Sequence, residues 1–122
     1  MRLEAKKYLF DIQRAALLIN EFISGRRYED YCAGALLRSA VERQFEVIGE
    51  ALAQLARLDE TIAVRITEHR RIIAFRNILI HGYADVDDRI VWDIIETKLP
   101  VLRREVEELL GPDRSGSETG VE

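Results

Sequence analysis

The sequence predicts an all-α protein, an up-and-down bundle of four to five helices with short connections. Apolar residues recur at helical spacing along most of the chain, and no segment alternates as a strand would. Only 7 Gly and 2 Pro occur in 122 residues, so turns are few and the elements are long. A chain of this length and composition, 48% apolar and 33% charged, is typical of one globular domain.

The first predicted helix runs from Leu3 to Ile23. Its apolar residues follow a three-four rhythm, and Gly25 provides a left-handed C-terminal cap. Phe10, Leu17 and Leu18 lie off the main apolar stripe, which favours a second packing partner or a partner chain.

A polar connection from Arg26 to Asp30 leads to the second predicted helix, Tyr31 to Leu58. Gly49 interrupts its interior, where glycine costs about 1 kcal/mol relative to alanine. Two interpretations stay open: Gly49 allows close helix packing, or the adjacent Glu50 supports a partner or a site.

Asp59 is the predicted N-cap of a short third helix that ends near Ile66. Thr67 is the predicted cap of the fourth helix, which extends from Glu68 to His81. This fourth helix is apolar nearly all round, which predicts a position at the centre of the bundle.

The last helix is predicted to begin at a cap formed by Asp87 or Asp88 and to end at Gly111. Pro100 lies inside its apolar pattern and should kink or split the helix near Thr97.

These elements predict a helical domain over residues 1–110 and a disordered tail over 111–122. A single cysteine, Cys32, cannot form an internal disulfide, and Met1 to Glu4 show no signal-peptide pattern, which together favour the cytoplasm. No apolar run reaches the ~20 residues that span a bilayer, so no membrane association is predicted.

Charge is unevenly distributed along the chain. The net charge is -4, which argues against binding of nucleic acid over the whole surface. The segment from Arg65 to His81, however, contains four arginines and one acidic residue, which gives it a local charge of +3. Arg70 and Arg71 are therefore candidate contacts to phosphate, although a basic run is more often a solvated face.

Several chemistries lack the residues that they need. No glycine-rich phosphate loop is present, and His69 and His81, twelve residues apart, do not match zinc spacing. Three aspartates between residues 85 and 88 could hold a hard cation, but helix capping explains them better: Asp85, Asp87 and Asp88. We predict no metal and no cofactor.

The candidate site lies at the end of the fourth helix, where Arg76, Asn77, His81 and Tyr83 occur within eight residues. Residues five apart on a helix differ by about 140° in direction, so Arg76 and His81 do not stack on one face. Asn77 and His81, four apart, do share a face. Two copies of the helix could bring Arg76 and His81 of both chains into one cleft.

These residue types suit cleavage of RNA, whose 2′-OH supplies a nucleophile without a metal. His81 could act as base on the 2′-OH or as acid on the leaving oxygen, and Arg76 could bind the phosphate. The products would be a 2′,3′-cyclic phosphate and a 5′-hydroxyl. The alternatives are a helix-terminal His81 favoured by the macrodipole and a Tyr83 that only packs.

The sequence Arg76-Asn77-Ile78-Leu79-Ile80-His81-Gly82-Tyr83 resembles the Arg-x4-6-His signature of the HEPN superfamily, and more closely the HepT family of toxin ribonucleases. The resemblance extends over roughly residues 5–110 and includes further segments in the same order: Ala40-Val41-Glu42-Arg43, Val47-Ile48-Gly49-Glu50-Ala51, Val91-Trp92-Asp93-Ile94-Ile95 and Leu99-Pro100.

The resemblance implies a dimeric HEPN bundle and metal-independent RNA cleavage with Arg76 and His81 essential and Asn77 supportive. It also implies a toxin–antitoxin pair of type VII, in which an MntA-type nucleotidyltransferase antitoxin transfers AMP to Tyr83. The added anionic group would block the cleft and repel RNA phosphate. One departure is visible, since many relatives have Trp at the position of His69.

Two other functions fit the same residues. The chain could be a non-catalytic HEPN module that dimerises and holds a nucleotidyltransferase, or a purely structural helical dimer. A requirement for His81 in RNA cleavage separates the enzyme from both.

Overall fold

The computed structural model describes residues 1–82 and 86–111, and in these two stretches the chain is helical without strands. The all-α fold class is confirmed. The described residues form seven helices instead of four or five: α1 Leu3–Ile23, α2 Tyr28–Ala33, α3 Ala35–Leu58, α4 Glu60–Ala63, α5 His69–His81, α6 Asp88–Thr97 and α7 Leu99–Leu110.

The core forms where the long helix α3 packs against α1, and α7 also packs on α1. The buried side of α1 follows the predicted three-four rhythm and includes three alanines, which let neighbouring helices approach closely. Its buried residues are Ala5, Leu9, Ile12, Ala15, Ala16 and Ile19. The boundaries predicted for this helix are confirmed.

The predicted start of the second helix was wrong. A separate short helix, α2, forms because the backbone N–H of Arg27 donates to the Asp30 carboxylate at 2.8 Å. Gly34 then adopts an extended conformation, with ψ at 96°, that separates α2 from α3. The guanidinium of Arg38 donates to the Tyr31 and Cys32 carbonyls at the end of α2.

Asp59 caps α4 as predicted, accepting from the Thr61 backbone at 3.1 Å, and the side-chain hydrogen bond from Thr61 lowers the pKa of Asp59. The helix ends at Ala63, earlier than predicted. Thr67 does not cap α5, because its N–H and hydroxyl donate to Glu105 on α7 at 2.9 and 2.5 Å. Glu68 occupies the cap position instead, with φ at +58°.

The C-terminal helices have the predicted cap at Asp87 and the predicted interruption near Thr97. The Asp87 side chain accepts from the Arg89 backbone at 2.8 Å and begins α6. Lys98 separates α6 from α7, and Pro100 lies in the first turn of α7, where its missing N–H costs little. The aromatic rings of Trp92 and Tyr31, 5.6 Å apart, join α6 to α2.

The central position predicted for α5 was wrong. Leu79 is its one buried residue, and Ile78 and Ile80 are 47% and 53% exposed. Helix α5 packs mainly on α3. The sequence pattern shows that α5 carries apolar residues on nearly all sides. It does not show whether those residues are buried by the same chain.

Of the helices in the described part of the chain, none is both long and apolar enough to cross a bilayer. The predicted tail falls outside the described residues except for Gly111, at the end of α7.

Candidate active site

Arg76 lies where α5 crosses α3, against Gly49. A Cβ atom added to Gly49 would overlap the Cβ of Arg76 and lie 2.7 Å from its Cγ and 3.4 Å from the Ile72 carbonyl. Glycine is therefore required at this crossing. The close-packing interpretation of Gly49 is supported, and it places the Arg76 side chain at the helix–helix contact.

Glu50, next to Gly49, forms an ion pair and hydrogen bond with the Arg76 guanidinium. The Arg76 side chain is only 17% exposed, whereas that of Glu50 is 51% exposed. Gln54, one turn further along α3, donates to the other Glu50 oxygen at 3.0 Å. Glu50 thus links the half-buried cation to solvent and restricts its orientation.

One donor of the Arg76 guanidinium, its Nε–H, is buried and has no hydrogen-bond partner among residues 1–82 and 86–111. A guanidinium has five N–H donors in a planar fork. A phosphate would therefore have to bind Arg76 through terminal N–H groups that Glu50 does not occupy.

His81 is the last residue of α5 and is exposed. Gly82 follows with φ at +63° and closes the helix by donating to the Ile78 carbonyl at 3.2 Å. At 100° per residue, Arg70, Asn77 and His81 fall within about 40° of one another on the exposed face of α5. Both Asn77 and His81 are exposed on a continuous helix, as the interpretation of a shared face requires.

The guanidinium of Arg76 lies on a different side of α5 from this face. The five-residue spacing from His81 predicts this difference in direction. The guanidinium points toward α3, where it contacts Glu50. The C-terminal end of α5 therefore carries an exposed imidazole and amide on one side and a half-buried cation on another.

The two arginines at the start of α5 are exposed and partly neutralised. Arg70 pairs with Glu60 on α4 at 3.4 Å, and Arg71 pairs with Glu68 at 3.3 Å. Both lie about 15 Å along the axis from His81. Including Glu50, three of the four arginines counted in the basic segment face a carboxylate, so the local charge of +3 overstates the field there.

A groove of about 370 Å³ adjoins Glu50 between α1, α3 and α5. Tyr8, Val47 and Ile80 form its apolar part. Ion pairs occupy its sides: Lys7 with Asp11 at 2.8 Å and Arg43 with Glu46 at 3.2 Å.

Two predicted positions, Tyr83 and Asp85, lie outside the described residues. Among the residues that are described, no three His, Cys, Asp or Glu side chains are grouped as metal ligands. Asp87 acts as a helix cap, which agrees with the preferred interpretation of the aspartate cluster.

The contact that sequence reasoning left undecided is the Glu50–Arg76 pair. The two residues are 26 positions apart, and neither helical periodicity nor charge count connects them. The one signal in the sequence was Gly49 beside Glu50, a small residue followed by a carboxylate in the interior of a long helix.

The all-α bundle is consistent with a domain of the HEPN class. The family model described as "Ribonuclease HepT-like" matches residues 12–109. The chain belongs to this family, the HepT-like ribonucleases.

Curated relatives agree with the family match over most of both chains. A Thermococcus cleftensis protein named "Probable ribonuclease HepT" is 33% identical over 109 residues, 89% of this chain and 98% of its own. A Methanocaldococcus jannaschii protein named "Putative RNase MJ1380" is 31% identical over 85% of this chain and 94% of its own. No solved structure matches the chain.

Proposed function

We propose that the protein is a metal-independent endoribonuclease in which Arg76 and His81 carry the reaction, and that it is the toxin of a type VII-like toxin–antitoxin pair. The observation that carries this proposal is the end of α5. Arg76 is held there by Gly49 and Glu50, five residues before the exposed His81 of a HepT-like chain.

In the proposed reaction the ribose 2′-oxygen attacks the adjacent phosphorus and the bond from phosphorus to the 5′-oxygen breaks. The 2′-OH proton passes to an imidazole, and a second proton reaches the leaving 5′-oxygen. Arg76 binds the phosphate and stabilises the negative charge that develops on it. Asn77, on the same face as His81, orients the substrate or the imidazole.

The reaction uses a base and an acid, whereas each chain places one histidine at this helix end. His69, the other histidine, begins the same helix about 18 Å away along its axis. A homodimer that brings two copies of His81 to one cleft supplies both groups. Arg70 and Arg71 would contact phosphates further along the RNA.

Control of the activity is assigned to Tyr83, two residues after His81. The HepT resemblance favours transfer of AMP to this phenol by a nucleotidyltransferase antitoxin of the MntA type. The adduct would place a bulky anion beside His81, exclude RNA phosphate and silence the toxin in the cytoplasm. Mass spectrometry of the chain co-expressed with the antitoxin tests this step, with an adduct of AMP mass expected on wild type and absent from Tyr83→Phe.

The central test compares His81→Ala and Arg76→Ala with two matched controls. His69→Ala removes the other histidine, and Arg104→Ala removes an exposed arginine of α7. We expect the first two variants to lose RNA cleavage by at least about a hundredfold while circular dichroism shows an intact bundle. The controls should cleave like wild type.

Cleavage by purified His81→Ala at the wild-type rate would refute the catalytic assignment. Wild-type protein that binds a nucleotidyltransferase but leaves RNA intact would instead identify a non-catalytic HEPN partner.

A further inference from the structure

A second cavity lies on the other side of α5 from the groove beside Glu50. Its volume is about 260 Å³, and it is bounded by α3, α5 and the α6–α7 junction. Phe45, Ile48 and Leu99 form its buried floor, and Phe75 and Ile94 are among its half-buried walls. The proposed ribonuclease chemistry uses none of these side chains.

The interior of this cavity is lined by apolar side chains, and its uncharged side chains leave no hydrogen-bond donor unused. Its two hydroxyls are both engaged: Thr67 donates to Glu105 at 2.5 Å, and Thr97 donates to the Asp93 carbonyl at 2.8 Å. A nucleobase or sugar buried here would lose its hydrogen bonds to water without replacement. An apolar group would not, so the cavity selects an apolar occupant.

The mouth of the cavity is cationic. Glu68 forms ion pairs with two cations there, Lys98 at 3.2 Å and Arg71 at 3.3 Å. Among the side chains that line the cavity, two positive charges and one negative charge give +1, and the Glu105 carboxylate, which accepts from Thr67, lies next to this rim. Both cations are largely exposed, at 58% for Lys98 and 80% for Arg71, and can turn toward a further anion.

Glu68 holds this rim in an uncommon backbone conformation. Its φ of +58° makes it the one non-glycine residue with positive φ in the described part of the chain. Such conformations persist where surrounding contacts fix them, and they concentrate at ligand-binding and other functional positions. Here the two cations and the Glu105 contacts of the neighbouring Thr67 provide that fixation.

We propose that this cavity binds a small amphipathic monocarboxylate, with its apolar tail on the Phe45–Leu99 floor and its carboxylate between Arg71 and Lys98. Because a cavity of ~150 Å³ accommodates benzene, the volume here suits a tail of about six to eight carbons. The site uses neither Arg76 nor His81 and shares only Arg71 with the proposed RNA path, so it does not depend on the ribonuclease assignment. It adjoins the Arg76 contact, because Ile48 and Phe75 precede Gly49 and Arg76 in the chain.

The test is direct binding of octanoate to the full chain by calorimetry, compared with 1-octanol and octylammonium, which keep the tail and change the head group. We expect saturable binding of one octanoate per chain and weaker binding of octylammonium. Lys98→Gln should weaken octanoate about two- to fivefold, as expected for an exposed charge contact, and leave octanol unchanged. Arg104→Gln, which removes an exposed arginine elsewhere on α7, is the matched control.

Val101→Trp fills the cavity from a half-buried wall and should abolish binding of both octanoate and octanol. Methyl NMR of the wild-type chain provides a second readout that needs no variant, since octanoate should shift Ile72, Ile94 and Val101 before other methyl groups.

Absence of saturable octanoate binding to wild type would overturn the proposal, as would methyl shifts located elsewhere. Equal affinity for octylammonium and octanoate would overturn the assigned anionic head group. Cavity methyl resonances that move with protein concentration and are unaffected by octanoate would show that a second copy of the chain occupies the cavity, which also overturns the proposal.

Discussion

Arg76 and Glu50 form the residue pair on which the proposed chemistry depends. The carboxylate is half exposed and the guanidinium mostly buried, so Glu50 both compensates the buried charge and selects its rotamer. RNA phosphate approaching Arg76 would share the guanidinium with this carboxylate. Glu50 is therefore a positioning residue, acting on substrate through Arg76.

Replacement of the Glu50 carboxylate by a neutral amide of the same shape should test its role in positioning Arg76 without disrupting the fold. Glu50→Gln keeps the shape but loses a charged hydrogen bond worth ~1.5–3 kcal/mol, so we expect RNA cleavage to fall by about tenfold or more. Glu46→Gln, which removes a surface carboxylate paired with Arg43 on the same helix, should cleave normally. Cleavage rates measured with one RNA substrate check the prediction, and equal activity of the two variants would contradict it.

A second carboxylate of α3, Glu42, predicts a pH dependence of stability. Partial burial, and next the charge of Asp88, raise the pKa of Glu42 above 4.5. Below the pKa of the unfolded chain the group is protonated in both states and has no effect. Above the folded pKa its charge destabilises the fold.

Glu42→Gln should therefore melt at a higher temperature than wild type at neutral pH, and the difference should disappear as the pH falls below about 4, where Glu42 is protonated in both states. Thermal unfolding of both proteins across this range measures the effect. A difference that stays constant with pH would show that it does not arise from titration of Glu42.

At the scale of elements, the crossing of α3 and α5 is the contact that positions the site. In an unobstructed helix interior, glycine to alanine stabilises by about 0.5–1 kcal/mol. At Gly49 the new methyl group would overlap Arg76, so we expect Gly49→Ala to destabilise by about 1–3 kcal/mol and to reduce RNA cleavage. Denaturant unfolding measures whether the free energy of unfolding of Gly49→Ala is higher or lower than that of wild type. A more stable Gly49→Ala would show that the helices are not in contact there.

The elements also show which predictions a single sequence supports. The boundaries of α1, the Asp59 and Asp87 caps and the split at Pro100 follow from local rules of periodicity, capping and proline geometry. Helix α2 was missed because a six-residue helix has no readable period and depends on the Asp30 contact.

Contacts between elements were harder to predict. The Thr67–Glu105 bond joins residues 38 positions apart, and the Glu50–Arg76 pair joins residues 26 positions apart. No local pattern encodes such pairings. The residue types of the candidate site could be predicted from the α5 segment alone, whereas the position of Arg76 against α3 required the fold.

For the whole molecule, the exposed apolar residues at the end of α5 favour a partner. Ile78 and Ile80 flank the buried Leu79 and are about half exposed in one chain. Full burial of such a side chain contributes roughly 1.5–3 kcal/mol, so covering the exposed half of each would contribute about half of that, which favours a second copy covering this end of α5. We expect sedimentation to show two chains per particle, with Ile78→Asp shifting the equilibrium to monomer. Val64→Asp, at a similarly exposed residue after α4, should remain dimeric.

Catalysis in mixtures of chains tests whether this dimer builds the site or merely accompanies it. If both imidazoles of a dimer are needed, as base and acid, a chain with His81→Ala silences its wild-type partner. An equal mixture, exchanged to equilibrium, should then retain about a quarter of the activity of the same total wild-type protein, because a quarter of the dimers carry two intact chains. Independent sites would retain about half. As a control, an equal mixture of wild type with Ile78→Asp, which is expected to stay monomeric, should retain the activity of the wild-type chains that it contains. Retention of half the activity with His81→Ala would show that each chain completes its own site and would refute the shared cleft.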